Sequence, residues 1–311
     1  MRINDLILFL VIFGSAATAV FFPDTGVIFQ PYLLYFMMLL LFLSFLNIDF
    51  RALLDTSRES LLRLATMASV KLIVLPTALY AIALFVIPDY AVPILLLSGI
   101  STGVVAPFLA SLVAADVATV LRMVIVTSLA VPFSLPCLVK LLAGAELSIP
   151  LDSMIRMLAL VIFVPMASVL VLRRIVPQAL EKIAQRQYPV SLLMLALVNL
   201  GVFSKYSSFF FQHPGQIMVC LAVAYALSVI YYLTGFLLVP GQQVKEKLAA
   251  ALSLAVMNNV LVIVFSSRFF GPLSPTLAAM YMFPFFTMIV PVKLIAHRVQ
   301  WAAGKPEKVG R

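Results

Sequence analysis

Ser98-Gly99-Ile100-Ser101-Thr102-Gly103-Val104-Val105-Ala106-Pro107 interrupts an apolar run that otherwise extends over residues 93–114. Two glycines, three hydroxyls and a proline in ten residues predict a broken helix. Proline removes a backbone donor and crowds the preceding turn, and glycine gives up helix stability. In a soluble chain such a stretch would be a surface loop. Here it sits in the middle of a segment long enough to cross a bilayer. Lipid cannot satisfy the amides and carbonyls that a broken helix frees, so they must be buried in protein or line a cavity.

The rest of the chain has the same character. Of its 311 residues 64% are apolar and 11% are charged, whereas soluble domains run near half and a quarter. Runs near 6–22, 31–48, 64–87, 93–114, 117–142, 153–172, 189–204, 217–239, 248–266 and 274–296 each have about the length of a membrane helix. The expected fold is therefore an all-α membrane protein with ten transmembrane helices. Arg2, the run Leu6–Gly14 and Ser15-Ala16-Ala17-Thr18-Ala19 have the outline of a signal peptide. The run continues through Phe22, however, and serves as the first span. The connectors are short and rich in breakers, such as Pro23-Asp24-Thr25-Gly26 and Gly271-Pro272, and no soluble domain fits between them; the loops with real charge are 49–63 and 173–188, with the tail after Ala296.

Lys and Arg outnumber Asp and Glu by 21 to 12. Their positions argue against nucleic acid. With the N-terminus inside, 14 basic residues flank the spans on the inner side, Arg51, Arg63, Arg173, Arg174 and Lys245 among them, and only Lys140, Arg156, Lys205 and Arg268 lie outside. That bias places both termini in the cytoplasm, and a bacterial inner membrane is the expected location. Cys137 and Cys220 both fall in apolar runs, where packing is expected, not a disulfide or a metal. No cofactor is expected.

Val139-Lys140-Leu141-Leu142-Ala143 closes the fifth span and Val292-Lys293-Leu294-Ile295-Ala296 closes the tenth. The offset of 153 residues halves the chain, into 1–152 and 153–311. Five spans is an odd number, so the second half would be inverted relative to the first, a transporter pattern. The same offset maps the interruption at 98–107 onto 251–260. That stretch holds Ser253, Asn258 and Asn259, the most polar cluster of the ninth span. Paired discontinuities of this kind point to a binding site at mid-membrane.

Lys71, Arg122 and Lys293 are the basic side chains read within spans, with Lys140 and Arg156 standing at span ends, and no acid lies within a span. Lys293 lies near a span end and snorkels. Lys71, seven residues into its run and thus roughly 10 Å deep, either snorkels too, or faces a water-filled pocket and attracts an anion, or pairs with backbone carbonyls at a helix break. Arg122, five residues into its span, either snorkels or faces a pocket that attracts an anion. Without a membrane carboxylate, cation and proton antiport are disfavoured. The aromatic runs Phe209–Phe211 and Tyr231-Tyr232 suit lipid-facing belts, Trp301 suits the inner interface, and His213 and His297 suit loops.

Phe21-Phe22-Pro23-Asp24-Thr25, Pro31-Tyr32, Phe45-Leu46-Asn47-Ile48-Asp49-Phe50, Pro76, Gly99–Pro107, Ala115-Asp116-Val117-Ala118, the pair Pro132 and Pro136, and Met257-Asn258-Asn259 occur in this order. Together they resemble the bile acid:sodium symporter family over nearly the whole chain. The resemblance implies two inverted five-helix repeats. It divides them into a panel domain of helices 1, 2, 6 and 7 and a core domain of helices 3–5 and 8–10, with helices 4 and 9 broken and crossing. It also implies organic anions as substrates, usually moved with sodium. The sodium-site positions depart from the family pattern. Its Ser-Asn pair reads Pro107 and Phe108, its span-five hydroxyls read Val120 and Val124, and its span-nine Glu reads Leu254. A span-three Gln reads Lys71, and a span-nine Gln reads Asn258, followed by Asn259. Few of these offer oxygen to a hard cation.

The function expected is a secondary transporter of a small organic anion by alternating access, not sodium-coupled, with Lys71 as a cation surrogate. Ser101, Thr102, Gly103, Asn258, Asn259 and Arg122 are the candidate substrate contacts. Helix–helix hydrogen bonding is the alternative role for the two Asn, and close packing for Gly103. Competing functions are a sodium symporter with a relocated ion site, a channel, and a non-transporting receptor or scaffold. No zinc motif, nucleophile–base constellation or Asp pair in the spans suggests an enzyme.

Overall fold

The computed structural model describes residues 3–46, 48, 57–144, 150–240, 243–289 and 291–294, and these are helical almost throughout. Trp301 and His297 lie outside them. The chain opens with α1 (Ile3–Phe21), α2 (Asp24–Val27) and α3 (Leu33–Phe45), the last two separated by a 3₁₀ turn at Gln30–Tyr32. Next come α4 (Arg58–Ser69) and α5 (Leu75–Val86), joined without interruption by a π-helical turn, Val70–Val74. Pro76 explains that turn. It cannot donate to the carbonyl of Leu72 and its ring would strike it, so the helix widens just before the proline.

Then follow α6 (Ala91–Ser98) and α7 (Ala106–Leu112), α8 (Val117–Leu142), α9 (Leu151–Ile175), α10 (Pro177–Gln185) and α11 (Gln187–Lys205). The chain continues with α12 (Ser207–Gln212), α13 (Pro214–Leu238), α14 (Val244–Ala255) and α15 (Asn259–Phe269), α16 (Leu273–Met280) and α17 (Met282–Thr287). Among the described residues seven helices are long and apolar enough to cross a membrane. Two further segments, α6–α7 and α14–α15, are the interrupted pairs. The molecule is an all-α membrane protein.

Three expectations change. The third apolar run, read from residue 64, starts as a helix at Arg58, where the Ser57 hydroxyl caps the amide of Ser60. Lys71 therefore lies 13 residues into its helix, about 20 Å along the axis. The charges Arg58, Glu59 and Arg63 are the first turns of this helix, not a loop; Arg63 pairs with Glu59 at 3.0 Å and with Glu246 at 2.8 Å. Residues 173–188 are likewise not a bare loop. Leu180 is buried at the centre of α10 while its charged neighbours Glu181 and Lys182 stay exposed. Of the two cysteines only Cys220 is packed inside, and Cys137 is exposed on α8.

Helix packing forms two groups. In one, α1 and α3 pack on α11, and α3 also packs on α9. In the other, α5 packs on α6, α7 on α8, α13 on α14, and α16 on both α6 and α13. Gly235 of α13 lets the α14 backbone close in, since a Cβ there would lie 2.5 Å from the Ala251 Cα. Contacts of α8 with α9 and of α15 with α3 and α11 join the groups.

Candidate functional site

The two interrupted pairs meet at their breaks. Thr102 and Met257 form an isolated antiparallel bridge. The Gly103 amide donates to the Val256 carbonyl (2.9 Å), and the Asn258 amide donates to the Ser101 carbonyl (3.1 Å). Only glycine permits this approach, because a Cβ on Gly103 would lie 2.7 Å from the Met257 carbonyl oxygen. The Thr102 amide finds the Thr127 hydroxyl of α8 (3.0 Å), which itself donates to the Met123 carbonyl (2.6 Å).

Any helix leaves its last four carbonyls without intrahelical donors, and in α14 each has a separate solution. The Leu252 carbonyl takes the Val256 amide (2.9 Å). Ser253 takes the Thr102 hydroxyl (2.7 Å), Leu254 the Lys71 ammonium (2.6 Å) and Ala255 the Tyr281 hydroxyl (2.8 Å). Beyond Val256, the helix's own next residue, the donors come from three other parts of the chain, so the broken end of α14 is a junction for the second group of helices. On the far side of the break the Asn258 side chain caps α15, accepting from the Leu261 amide (3.4 Å).

Lys71 stands at the centre of this junction. It projects from the π turn and is fully buried, 0% exposed. Its Nζ reaches the Leu254 carbonyl and the Met257 sulfur (2.7 Å), and lies 5.1 Å from the centre of the Tyr231 ring. Among the described residues it forms no ion pair. Tyr231 is itself fully buried, so it is not part of a lipid-facing belt.

Of the expected substrate contacts, Ser101, Thr102, Gly103, Asn258 and Asn259 come together here. Thr102 and Gly103 already use their polar groups to hold the crossing. Ser101 Oγ, Ser253 Oγ and Asn259 Oδ1 are buried yet have no hydrogen-bond partner among the described residues. Oxygens left in that state in an apolar interior require a water, an ion or a ligand. Arg122 stands apart. It is half-buried near the start of α8, five residues before Thr127 and so about 140° around the helix from it. Among the described residues no group of three or more His, Cys, Asp or Glu side chains could hold a metal ion.

Tyr281 and Thr127 are partners that the sequence did not single out; their only signal was a hydroxyl in an apolar span, where it must find an acceptor. Tyr231 carried only the signal of an aromatic, and it meets Lys71 through its ring. The family model for the Sodium Bile acid symporter family matches residues 31–213, more than half of the chain. No curated protein matches.

Proposed function

The chain belongs to the sodium bile acid symporter family, and from that premise we propose that it is a secondary carrier of a small organic anion that works by alternating access without sodium. It is a membrane transporter of the bile acid symporter kind; the substrate, the coupling and the cycle are our reading. The observation that carries it is the Lys71 ammonium on the Leu254 carbonyl, fully buried at the break of the ninth span. A fixed cation here donates to a freed carbonyl, where a bound sodium would instead accept its lone pair. Leu254 also removes the carboxylate that the resemblance would require to balance a sodium ion.

Alternating access is supported by the two packing groups. They correspond to a panel (α1, α3, α9, α11) and a core (α4–α8, α13–α17) that can move against each other. The ten-span count adds α1 and the two interrupted pairs to the seven long helices. The division into repeats, 1–152 and 153–311, is supported by the crossing itself: Gly103 and Val256 stand 153 positions apart, the offset of the Val-Lys-Leu-Leu-Ala and Val-Lys-Leu-Ile-Ala echoes. For the substrate we propose as contacts the buried Ser101 hydroxyl, which has no partner among the described residues, with the side-chain NH2 groups of Asn258 and Asn259 as donors. Thr102 and Gly103 hold the crossing, and Arg122 acts near the inner mouth.

Uptake of radiolabelled taurocholate and pyruvate into proteoliposomes, with sodium replaced by choline on both sides, tests this. The expected rates are unchanged by the replacement. Uptake that rises steeply with an inward sodium gradient would favour the family's usual coupling through a relocated ion site, built on the Ser101, Ser253 and Asn259 oxygens.

A further inference from the structure

A co-transported sodium leaves the carrier with its substrate, but an ammonium on a side chain stays behind. This difference gives the empty carrier a property that a sodium symporter lacks. Full burial works against the charge, and three features of its surroundings oppose that cost. The Leu254 carbonyl accepts at 2.6 Å from the last turn of α14, where the helix dipole presents about half a negative charge. The Tyr231 ring lies 5.1 Å from Nζ, with the electron-rich face of an aromatic within cation–π range. The Met257 sulfur adds a polarisable neighbour at 2.7 Å. Glu59 and Glu246, in the first turns of α4 and α14, pair with Arg63, and among the described residues Lys71 forms no ion pair. The crossing therefore carries a net positive charge in its interior.

We propose that Lys71 makes the substrate-free carrier a voltage sensor: the core domain carries one uncompensated positive charge through the membrane field when empty, and none when a monoanion is bound. The proposal rests on the alternating-access reading above. The charge account closes over a cycle. The loaded core crosses as a neutral unit, the empty core returns with one positive charge, and the sum is one negative charge moved with the substrate. Under an interior-negative potential the empty core is drawn inward, so the cycle runs towards export of the anion. A symporter carrying two sodium ions with a monoanion would respond with the opposite sign, and one carrying a single sodium would not respond.

The first test needs no substrate. Voltage steps are applied to giant spheroplasts expressing the full chain, in solutions free of sodium and organic anions. The expected record is a saturating transient charge movement of at most about one elementary charge per carrier. Lys71→Met abolishes it and Lys71→Arg, which keeps the charge, retains it. No transient in the wild type, or an undiminished one in Lys71→Met, overturns the proposal. The wild-type record decides even if Lys71→Met fails to reach the membrane.

The second test uses proteoliposomes loaded with labelled taurocholate, with the potential clamped by valinomycin and potassium. At 100 mV interior-negative, one charge is worth about 2.3 kcal/mol, so efflux should approach an outside-to-inside ratio of about 50. Taurocholate flux indifferent to potential overturns the proposal. Charge movement without taurocholate flux supports it and rejects bile salts as the substrate. Sodium-stimulated uptake rejects the sodium-free coupling of the preceding section, while an intact transient in sodium-free solution still supports the sensor.

Discussion

At the residue scale, the end of α14 makes a direct claim about energy. Each of its last carbonyls has one donor, and a buried carbonyl stripped of its donor costs about 1–3 kcal/mol. Tyr281→Phe keeps the ring and removes only the hydroxyl that serves the Ala255 carbonyl, so the variant should unfold at a temperature lower by a few degrees. Lys71→Gln shortens the reach by about one bond and removes the charge. It relieves a desolvation cost but leaves the Leu254 carbonyl and the α14 dipole unanswered. Because that ammonium has a strong acceptor at 2.6 Å, the loss should outweigh the relief, and the melting temperature should fall by at least as much as in Tyr281→Phe. Fluorescence-detected size-exclusion after heating measures both, and an unchanged value for Lys71→Gln would mean the ammonium does not stabilise the crossing. Lys71 itself was legible in the sequence as a lone charge in an apolar span. Its partner was not, because a backbone carbonyl carries no residue signature and lies 183 positions away. The depth was misjudged because Arg58, Glu59 and Arg63 read as a charged loop, when an N-capped helix can carry charges in its first turns.

At the element scale, the interruptions themselves were readable. Single prolines sit inside unbroken helices, Pro132 and Pro136 in α8 and Pro165 in α9, but two glycines, three hydroxyls and a proline within ten residues are too many for one. The inner faces of the unbroken helices were not readable. A membrane helix can be apolar all round, so no polar stripe separates the lipid face from the protein face. Tyr231, fully buried, and Cys137, exposed, were misplaced for that reason. In α10 the signal was present and passed over: Leu180, Ile183 and Ala184 recur at helical spacing within a segment first read by its charge. The crossing depends on Gly103 more than on any other glycine of the fourth span. In Gly103→Ala the new methyl meets backbone, not a flexible side chain, and such overpacking costs about 1–3 kcal/mol. Gly14→Ala, where nothing lies within 4 Å, should instead leave stability unchanged or raise it by up to about 1 kcal/mol, since it lies inside α1. Parallel thermal profiles that fail to separate these two variants would remove the close approach as an explanation for Gly103.

At the scale of the whole molecule, the side chains sort the helix ends into two sides without reference to charge counting. Arg63 pairs with Glu246, the Asp116 amide donates to the Lys245 carbonyl, and Arg173 donates to the Ile48 carbonyl at 2.8 Å. These contacts join the ends near residues 48, 63, 116, 173 and 245. On the other side Tyr90 donates to the Gln216 carbonyl (3.3 Å) and Lys205 to that of Ser267 (2.8 Å). The first set lies in the segments that hold most of the Lys and Arg, so the positive-inside bias and the packing sort the chain in the same way. Which side is cytoplasmic can then be tested at four exposed positions, Gln178 and Gln243 on the first side, Asp89 and Gln212 on the second. Each is replaced by cysteine in a Cys137→Ala, Cys220→Ala background and exposed to a membrane-impermeant maleimide. Asp89→Cys and Gln212→Cys should label in intact spheroplasts, and Gln178→Cys and Gln243→Cys only after permeabilisation. The reverse pattern would keep the two-sided architecture but invert it, placing the basic ends outside. A mixed pattern within one pair would break the sidedness itself, and with it the inverted relation proposed for the two halves.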